Sequence, residues 1–268
     1  MRIRIFSNFC DSQTCAHAFI NVNNLDDSLF TCDESYTHAI ILNTATPALS
    51  IPKEHVIGLA FEPNQFLHLT KEFIQYAKKH IGKYYIGSSK GLPEPFTEGY
   101  GFLHHTNPKD GLSYHKRKPV SLMISQKLHA PGHRYRHMLA QRILQSDLPV
   151  DIYGRGCKYH NDDPRLKGEF NDDVMYTDYK YHICIENYKL PAYVSEKITN
   201  TLCCGATPIY WGSPLMEKYS VTLTGDIDRD METIKSCIAR DVKRQPWPKF
   251  IQEFNFMEFL EKAFTICI

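Results

Sequence analysis

One stretch of this sequence gathers side chains that bind phosphate and ribose, at a spacing that would bring them together. It runs Tyr179-Lys180-Tyr181-His182-Ile183-Cys184-Ile185-Glu186-Asn187 and resumes at Tyr193-Val194-Ser195-Glu196-Lys197-Ile198. The pattern is an apolar strand, a polar loop and a helix start. In open α/β sheets ligands bind beyond the carboxyl ends of strands, and Glu186 and Asn187 fall at such an end. Ser195 has the side chain of an N-cap and leaves backbone N–H groups free at the helix start. A helix start of that kind attracts an anion such as a phosphate. Lys197 adds a full positive charge for the same phosphate, and Glu196 offers a bidentate acceptor suited to ribose hydroxyls. Taken alone, Ser195 and Glu196 would do no more than cap a helix, with Lys197 solvated.

Other clusters point to chemistry less firmly. His129, His133 and His137 recur every four residues, the spacing of a helical zinc pair, but no third ligand or neighbouring Glu base accompanies them. They read as surface or phosphate-side histidines. Asp162-Asp163 and Asp172-Asp173 lie in turn-like sequence and read as solvated loops. His104-His105 falls in an irregular stretch and reads as loop, with acceptor contact as the alternative. Trp247 between Pro246 and Pro248 reads as an anchor for the last helix. No metal ligand set and no obligatory cofactor are expected.

The three-block string resembles the donor-binding core of the α-1,3-fucosyltransferase family (glycosyltransferase family 10-like). The blocks are Tyr179 to Asn187, Tyr193 to Ile198, and Thr207-Pro208-Ile209-Tyr210-Trp211-Gly212. They stand in the family's order with compatible spacing. Ser195 replaces the family's usual Thr, which keeps the cap, and Cys184 and Ile185 depart from its pattern inside the strand. The resemblance covers roughly Val120 to Val242 and thins before that. It implies an α/β fold of the GT-B type, two Rossmann-like domains facing a cleft, and inverting transfer of L-fucose from GDP-fucose to a hydroxyl of a glycan acceptor. It places Asn187, Tyr193, Ser195, Glu196 and Lys197 on donor-binding positions. The family's diphosphate-binding arginine matches Arg136, framed by Val150-Asp151-Ile152-Tyr153-Gly154 downstream; Arg134 is the fallback, and Glu186 a secondary donor-site candidate. The family's base, a Glu at a strand end in the first domain, matches Glu62 in Phe61-Glu62-Pro63, which reads equally as a turn acid. Two other readings stay open: a GT-B transferase using a different nucleotide sugar, and a non-catalytic nucleotide- or sugar-binding module.

The elements around these residues alternate strand and helix. Strands are expected at Ile3–Phe6, Ala39–Leu42, Val56–Phe61 and Tyr84–Ile86, with a helix over Leu67–Ile81. A second series follows: strands at Val120–Ile124, Val150–Tyr153, Tyr181–Ile185, Pro208–Trp211 and Val221–Leu223. Its helices are Gly132–Ser146, Ser195–Cys204, Met231–Val242 and Trp247–Phe264. Such alternation means βαβ units and parallel sheets. The stretch from Ser88 to Lys118 shows no period and reads as loop and linker. The expected division is an acceptor domain over 1–115, a donor domain over 116–245, and a C-terminal helix over 246–268 crossing back to the first.

Composition sets outer limits. The chain has 268 residues, 43% hydrophobic and 23% charged, with 31 basic against 30 acidic side chains. So even a balance gives no footprint for nucleic acid. The nine cysteines are scattered with no C-x-x-C pair, and read as free buried thiols in a reducing compartment. No apolar run approaches about 18 residues, and no cationic-apolar leader opens the sequence. The reading is a cytoplasmic protein without a membrane anchor, whose partners are a nucleotide sugar and a glycan acceptor.

Overall fold

A computed structural model describes residues 1–23, 25–99, 117–169, 174–240 and 255–264. Within these, the chain forms two compact units. The first contains residues 1–99, Leu190–Ser195 and 255–264; the second contains 117–189 and 196–240. The expected boundaries at 115 and 245 fall outside the described residues, as do His104-His105, Asp172-Asp173 and Trp247.

The first unit is built on five parallel strands: β1 (Ile3–Phe6), β2 (His38–Leu42), β3 (Val56–Leu59), β4 (Lys83–Ile86) and β5 (Phe96–Glu98). They lie in the order β1-β2-β3-β4-β5, so the sheet winds in one direction from edge to edge. Every residue of the central strand β3 is buried, as expected where both faces of a parallel sheet are covered. Helix α2 (Lys71–His80) begins where Thr70 accepts the N–H of Phe73 at 3.2 Å. Lys78, Lys79 and His80 occupy its last turn and complement the helix dipole. Its start is therefore later than the apolar spacing from Leu67 implies.

Two elements depart from the sequence expectation. Helix α1 (Ser12–Asn23) lies where no element was expected; among its described side chains it buries only the narrow stripe of Cys15, Ala16 and Phe19. Strand β5 lies in the stretch read as linker, three residues long and directly preceded by Pro93-Glu94-Pro95. The cysteine reading also needs correction. Cys10 and Cys15 form a disulfide and Cys32 is exposed, while Cys157, Cys184, Cys203, Cys204 and Cys237 are free and buried.

The second unit carries six parallel strands: β6 (Lys118–Met123), β7 (Val150–Tyr153), β8 (Leu166–Gly168), β9 (Tyr179–Ile185), β10 (Thr207–Trp211) and β11 (Val221–Thr222). Their order is β8-β7-β6-β9-β10-β11. The chain winds outward from β6 to one edge, then returns to place β9 on the other side of β6. This is the doubly-wound order, and β6/β9 is its switch point, where such sheets bind ligands. The helices are α3 (Pro131–Leu144), the short α4 (Val174–Thr177), α5 (Glu196–Cys203) and α6 (Ile227–Ala239), the last capped by Asp226. Val120, Leu122, Ile152, Ile183 and Ile209 of the strands pack with Leu139 and Ile143 of α3 and Ile234 of α6. Helix α7 (Phe256–Ala263), capped by Asn255, belongs to the first unit, where Phe256 stacks near Phe19. Among the described residues no helix is long and apolar enough to cross a membrane.

Candidate functional site

At the switch point of the second sheet five of the sequence-selected side chains meet: Arg136, Glu186, Asn187, Glu196 and Lys197. Strand β9 runs buried to Ile185, and the chain then turns out of the sheet at Glu186-Asn187. The Glu186 N–H still pairs with the Trp211 carbonyl at 2.9 Å, which holds this turn against the end of β10. Arg136 projects from α3 and is 3% exposed. Its Nε donates to the Ile185 carbonyl at 3.0 Å, and an Nη donates to Asn187 Oδ1 at 2.6 Å. The guanidinium fork thus grips the end of the strand and sets the direction of the Asn187 amide.

Helix α3 comes this close because residue 132 is glycine. A Cβ there would lie 1.7 Å from the Glu186 carbonyl oxygen, while the Gly132 N–H donates to the Asn187 carbonyl at 3.0 Å. Pro131 at the first helical turn gives up an N–H that has no intrahelical partner in any case. Gly132 read from sequence only as the start of a helix. The signal for more was a glycine in the opening turn of a helix, where a missing Cβ lets another backbone approach.

Lys197, in the first turn of α5, meets two carboxylates. Its Nζ is 3.7 Å from Glu186 Oε2 and 3.1 Å from Glu196 Oε1. Glu186 is fully buried, and an ion pair at such depth persists only with further hydrogen bonds. Tyr210 provides one: its hydroxyl donates to Glu186 Oε1 at 3.3 Å and accepts the Ser213 N–H at 3.0 Å. Burial, then the Glu186 charge, pushes the Tyr210 pKa far up, so the hydroxyl stays protonated and remains a donor. Gly212 leaves room for this: a Cβ there would lie 2.2 Å from the Tyr210 oxygen and 2.6 Å from Glu186 Cγ. Nothing in the sequence pattern marked Tyr210.

The surroundings are cationic. His133, buried on α3, accepts the Ala130 N–H at Nδ1 at 3.2 Å. Its pKa falls to about 4 through burial, then through the charges of Arg136, His129, Lys127 and Lys197. The ring is therefore neutral at physiological pH, with the proton of its neutral form on Nε2. His137 turns instead to the Ser125 carbonyl, 2.7 Å from Nε2, and stacks on His160. Among the described residues no three His, Cys, Asp or Glu side chains are grouped to hold a metal ion. Asp163 hydrogen-bonds to Arg165, which holds its carboxyl down at about 2.

The other sequence candidates are placed as follows. Arg134 is exposed and donates to the carbonyls of Leu128 and His129, so it fastens the loop before α3 and not the end of β9. Ser195 is buried and directly precedes α5. Ser195 and the buried Tyr193 lie in the Leu190–Ser195 segment of the first unit, where the Ala192 N–H donates to the Gly87 carbonyl at 2.8 Å. Glu62 is exposed just past the carboxyl end of β3. Its neighbour Phe61 donates its N–H to Asn43 Oδ1 at 2.9 Å and packs on Phe19 of α1. A further buried carboxylate, Asp230, accepts from the Tyr135 hydroxyl, Thr224 N and Oγ1, and Gly225 N. It pins α6 to α3 and the turn after β11.

Two parallel α/β units, one of them doubly wound with cations gathered at its switch point, define the GT-B class of glycosyltransferase folds. A solved α1,3-fucosyltransferase with GDP matches at TM-score 0.53 and 15% identity, covering 100% of this chain and 91% of that one. The same enzyme type solved with GDP-fucose matches at TM-score 0.52 and 15% identity, covering 97% and 90%. Residues 113–226 match the family model "Glycosyltransferase family 10 (fucosyltransferase) C-term". It is 25% identical over 160 residues to alpha-(1,3)-fucosyltransferase B of Drosophila melanogaster, covering 57% of this chain and 34% of that protein. The chain spans about a third or less of the length of the curated relatives it matches.

Proposed function

We propose that this protein is an inverting glycosyltransferase that moves L-fucose from GDP-fucose to a hydroxyl of a glycan acceptor. The observation that carries the reading is the convergence of Arg136, Asn187, Lys197 and the first turn of α5 at the end of β9. That group suits a diphosphate: two fixed cations and a helix start. Glu196 takes the ribose hydroxyls, Tyr193 and Ser195 complete the donor site, and Glu186 sets the position of Lys197. The solved relatives that hold GDP and GDP-fucose support the choice of donor.

In the proposed reaction Glu62 takes the proton of the acceptor hydroxyl as its oxygen attacks the anomeric carbon. The carbon–oxygen bond to the diphosphate breaks on the opposite face, and GDP leaves with the bonding electrons. Arg136, Lys197 and the α5 terminus stabilise that growing charge more than they stabilise the ground state. These groups balance the diphosphate without a divalent cation. The experiment is to incubate the protein with a panel of nucleotide sugars and glycan acceptors and read product stereochemistry by NMR. Fucosyl transfer with inversion is expected from GDP-fucose, undiminished by a chelator. Retention, or a preference for another nucleotide sugar, would overturn the assignment.

A further inference from the structure

Glu62 is exposed and is carried by a turn, yet a general base must keep its oxygen within hydrogen-bond reach of the reacting hydroxyl. A displacement of about 1 Å can cost about 10²-fold in rate. The residues on either side of Glu62 fix it. Before it, the Ala60 N–H donates to the Tyr85 carbonyl at 2.9 Å, and the Phe61 N–H donates to Asn43 Oδ1 at 2.9 Å. The chain is thus held as far as the residue that precedes the acid. After it, Pro63 is buried, with its φ set by its own ring, and its carbonyl accepts the Phe66 N–H at 2.8 Å. The turn is then fastened to a different part of the sheet by the next side chain, Asn64.

Asn64 Nδ2 donates to the Ser88 carbonyl at 2.7 Å, and Asn64 Oδ1 accepts the Ser88 N–H at 3.3 Å. One side-chain amide therefore pairs with both polar groups of one backbone residue, as a residue on an opposing strand would. Ser88 lies just past β4, in a stretch that is itself fixed. The Ile86 carbonyl at the end of β4 accepts the Gly99 N–H at 3.1 Å. Gly87 is buried, and its carbonyl accepts the Ala192 N–H at 2.8 Å. A Cβ on Gly87 would lie 2.8 Å from Tyr193 Cβ and 3.3 Å from Leu190 Cδ1, so the donor segment is packed directly on it. The loop after β4 thus anchors two things at adjacent residues of the first unit: Tyr193 at Gly87, and the turn of Glu62 at Ser88.

We infer that Asn64 is a positioning residue for Glu62, tying the turn of the base to the loop on which Tyr193 is seated. The inference rests on the proposed role of Glu62 as base. The test is a double-mutant cycle on the full chain, read as GDP release from GDP-fucose in the presence of lactose, with water as the acceptor where lactose is not used. Rates are single-turnover, with enzyme in excess, so that slow variants stay measurable. Asn64→Ala should lower the rate about 10- to 100-fold while GDP affinity, by calorimetry, stays near wild type. In a chain that already carries Glu62→Gln, adding Asn64→Ala should lower the rate no further. A residue that only supports the fold would lower both backgrounds by the same factor. Asn64→Asp keeps the acceptor for the Ser88 N–H and loses the donor; it serves where Asn64→Ala does not fold, and should show the same non-additivity. Equal losses in both backgrounds overturn the inference and leave the base reading standing. So does a wild-type rate in Asn64→Ala beside a slow Glu62→Gln, or a GDP affinity that falls as far as the rate. A Glu62→Gln chain at the wild-type rate breaks the base reading and takes this one with it, as does a wild type that releases no GDP.

Discussion

The two sheets use the same parallel architecture and arrive at different surfaces. The second reverses its strand order between β6 and β9, and at that reversal two helix starts, an arginine and a lysine meet the end of one strand. The first runs β1 to β5 without reversal. No switch point concentrates its loops, and its carboxyl rim carries the exposed acids Asp11, Glu62 and Glu98, the neutral pair Asn8 and Thr44, and the exposed ring of Phe9. In the doubly-wound order the reversal of strands focuses ligand binding at one point, which the one-way order of the first sheet lacks. On the proposed function, the second unit binds the leaving group and the first supplies the base.

The sharpest way to break this division is Glu62→Gln. If the first unit supplies the base, transfer should fall by about 10²–10⁴-fold while nucleotide affinity stays near wild type. Rate and affinity are measured on the same preparation, and a near wild-type rate would return Glu62 to the role of a turn acid.

Gly132→Ala probes the other side. A Cβ placed 1.7 Å from the Glu186 carbonyl must push α3 off the end of β9. Overpacking of this kind costs about 1–3 kcal/mol. Denaturant unfolding should show that loss, with weaker GDP binding, because Arg136 rides on the same helix. Unchanged stability and affinity would mean the close approach of α3 does not position the site.

The smallest effect is acid sensitivity, and it sharpens the contrast between units. His182, sealed in the second unit, has its pKa pushed down by burial to about 3, and His133 stands at about 4. In the first unit His38 stands at about 4, through burial and then the nearby His55. Unfolding returns each to its ordinary value near 6.5. Below that pH the unfolded chain binds more protons, so stability is full above about pH 6.5 and falls as the pH drops towards 4. Ring NMR should find His133 and His182 neutral at pH 6. Protonation of either ring at that pH would contradict the burial account.

Legibility in the sequence followed the range of the interactions. The segment from Tyr179 to Lys197 could be read because strand, loop and helix start lie within one local pattern. Arg136 could be chosen over Arg134 only because a second motif downstream fixed the frame. What stayed hidden depends on distant partners. Tyr210 acts through a glutamate 24 residues away, and Tyr135 through Asp230, 95 residues away. Gly132 is needed only because the winding order returns β9 beside β6. Helix α1 escaped notice because three buried side chains among His, Asn, Gln and Thr give it a weak stripe. Strand β5 is too short, and too close to prolines, to show an alternation.

The central claim is that the end of β9 holds a diphosphate, and isothermal titration of guanosine, GMP and GDP tests it most directly. The wild type should bind GDP more tightly than guanosine. In Lys197→Ala and Arg136→Ala that preference should shrink by roughly 10- to 100-fold, because each charge-assisted hydrogen bond contributes about 1.5–3 kcal/mol. Guanosine affinity should change little. GDP affinity at the wild-type level in both variants would contradict the account.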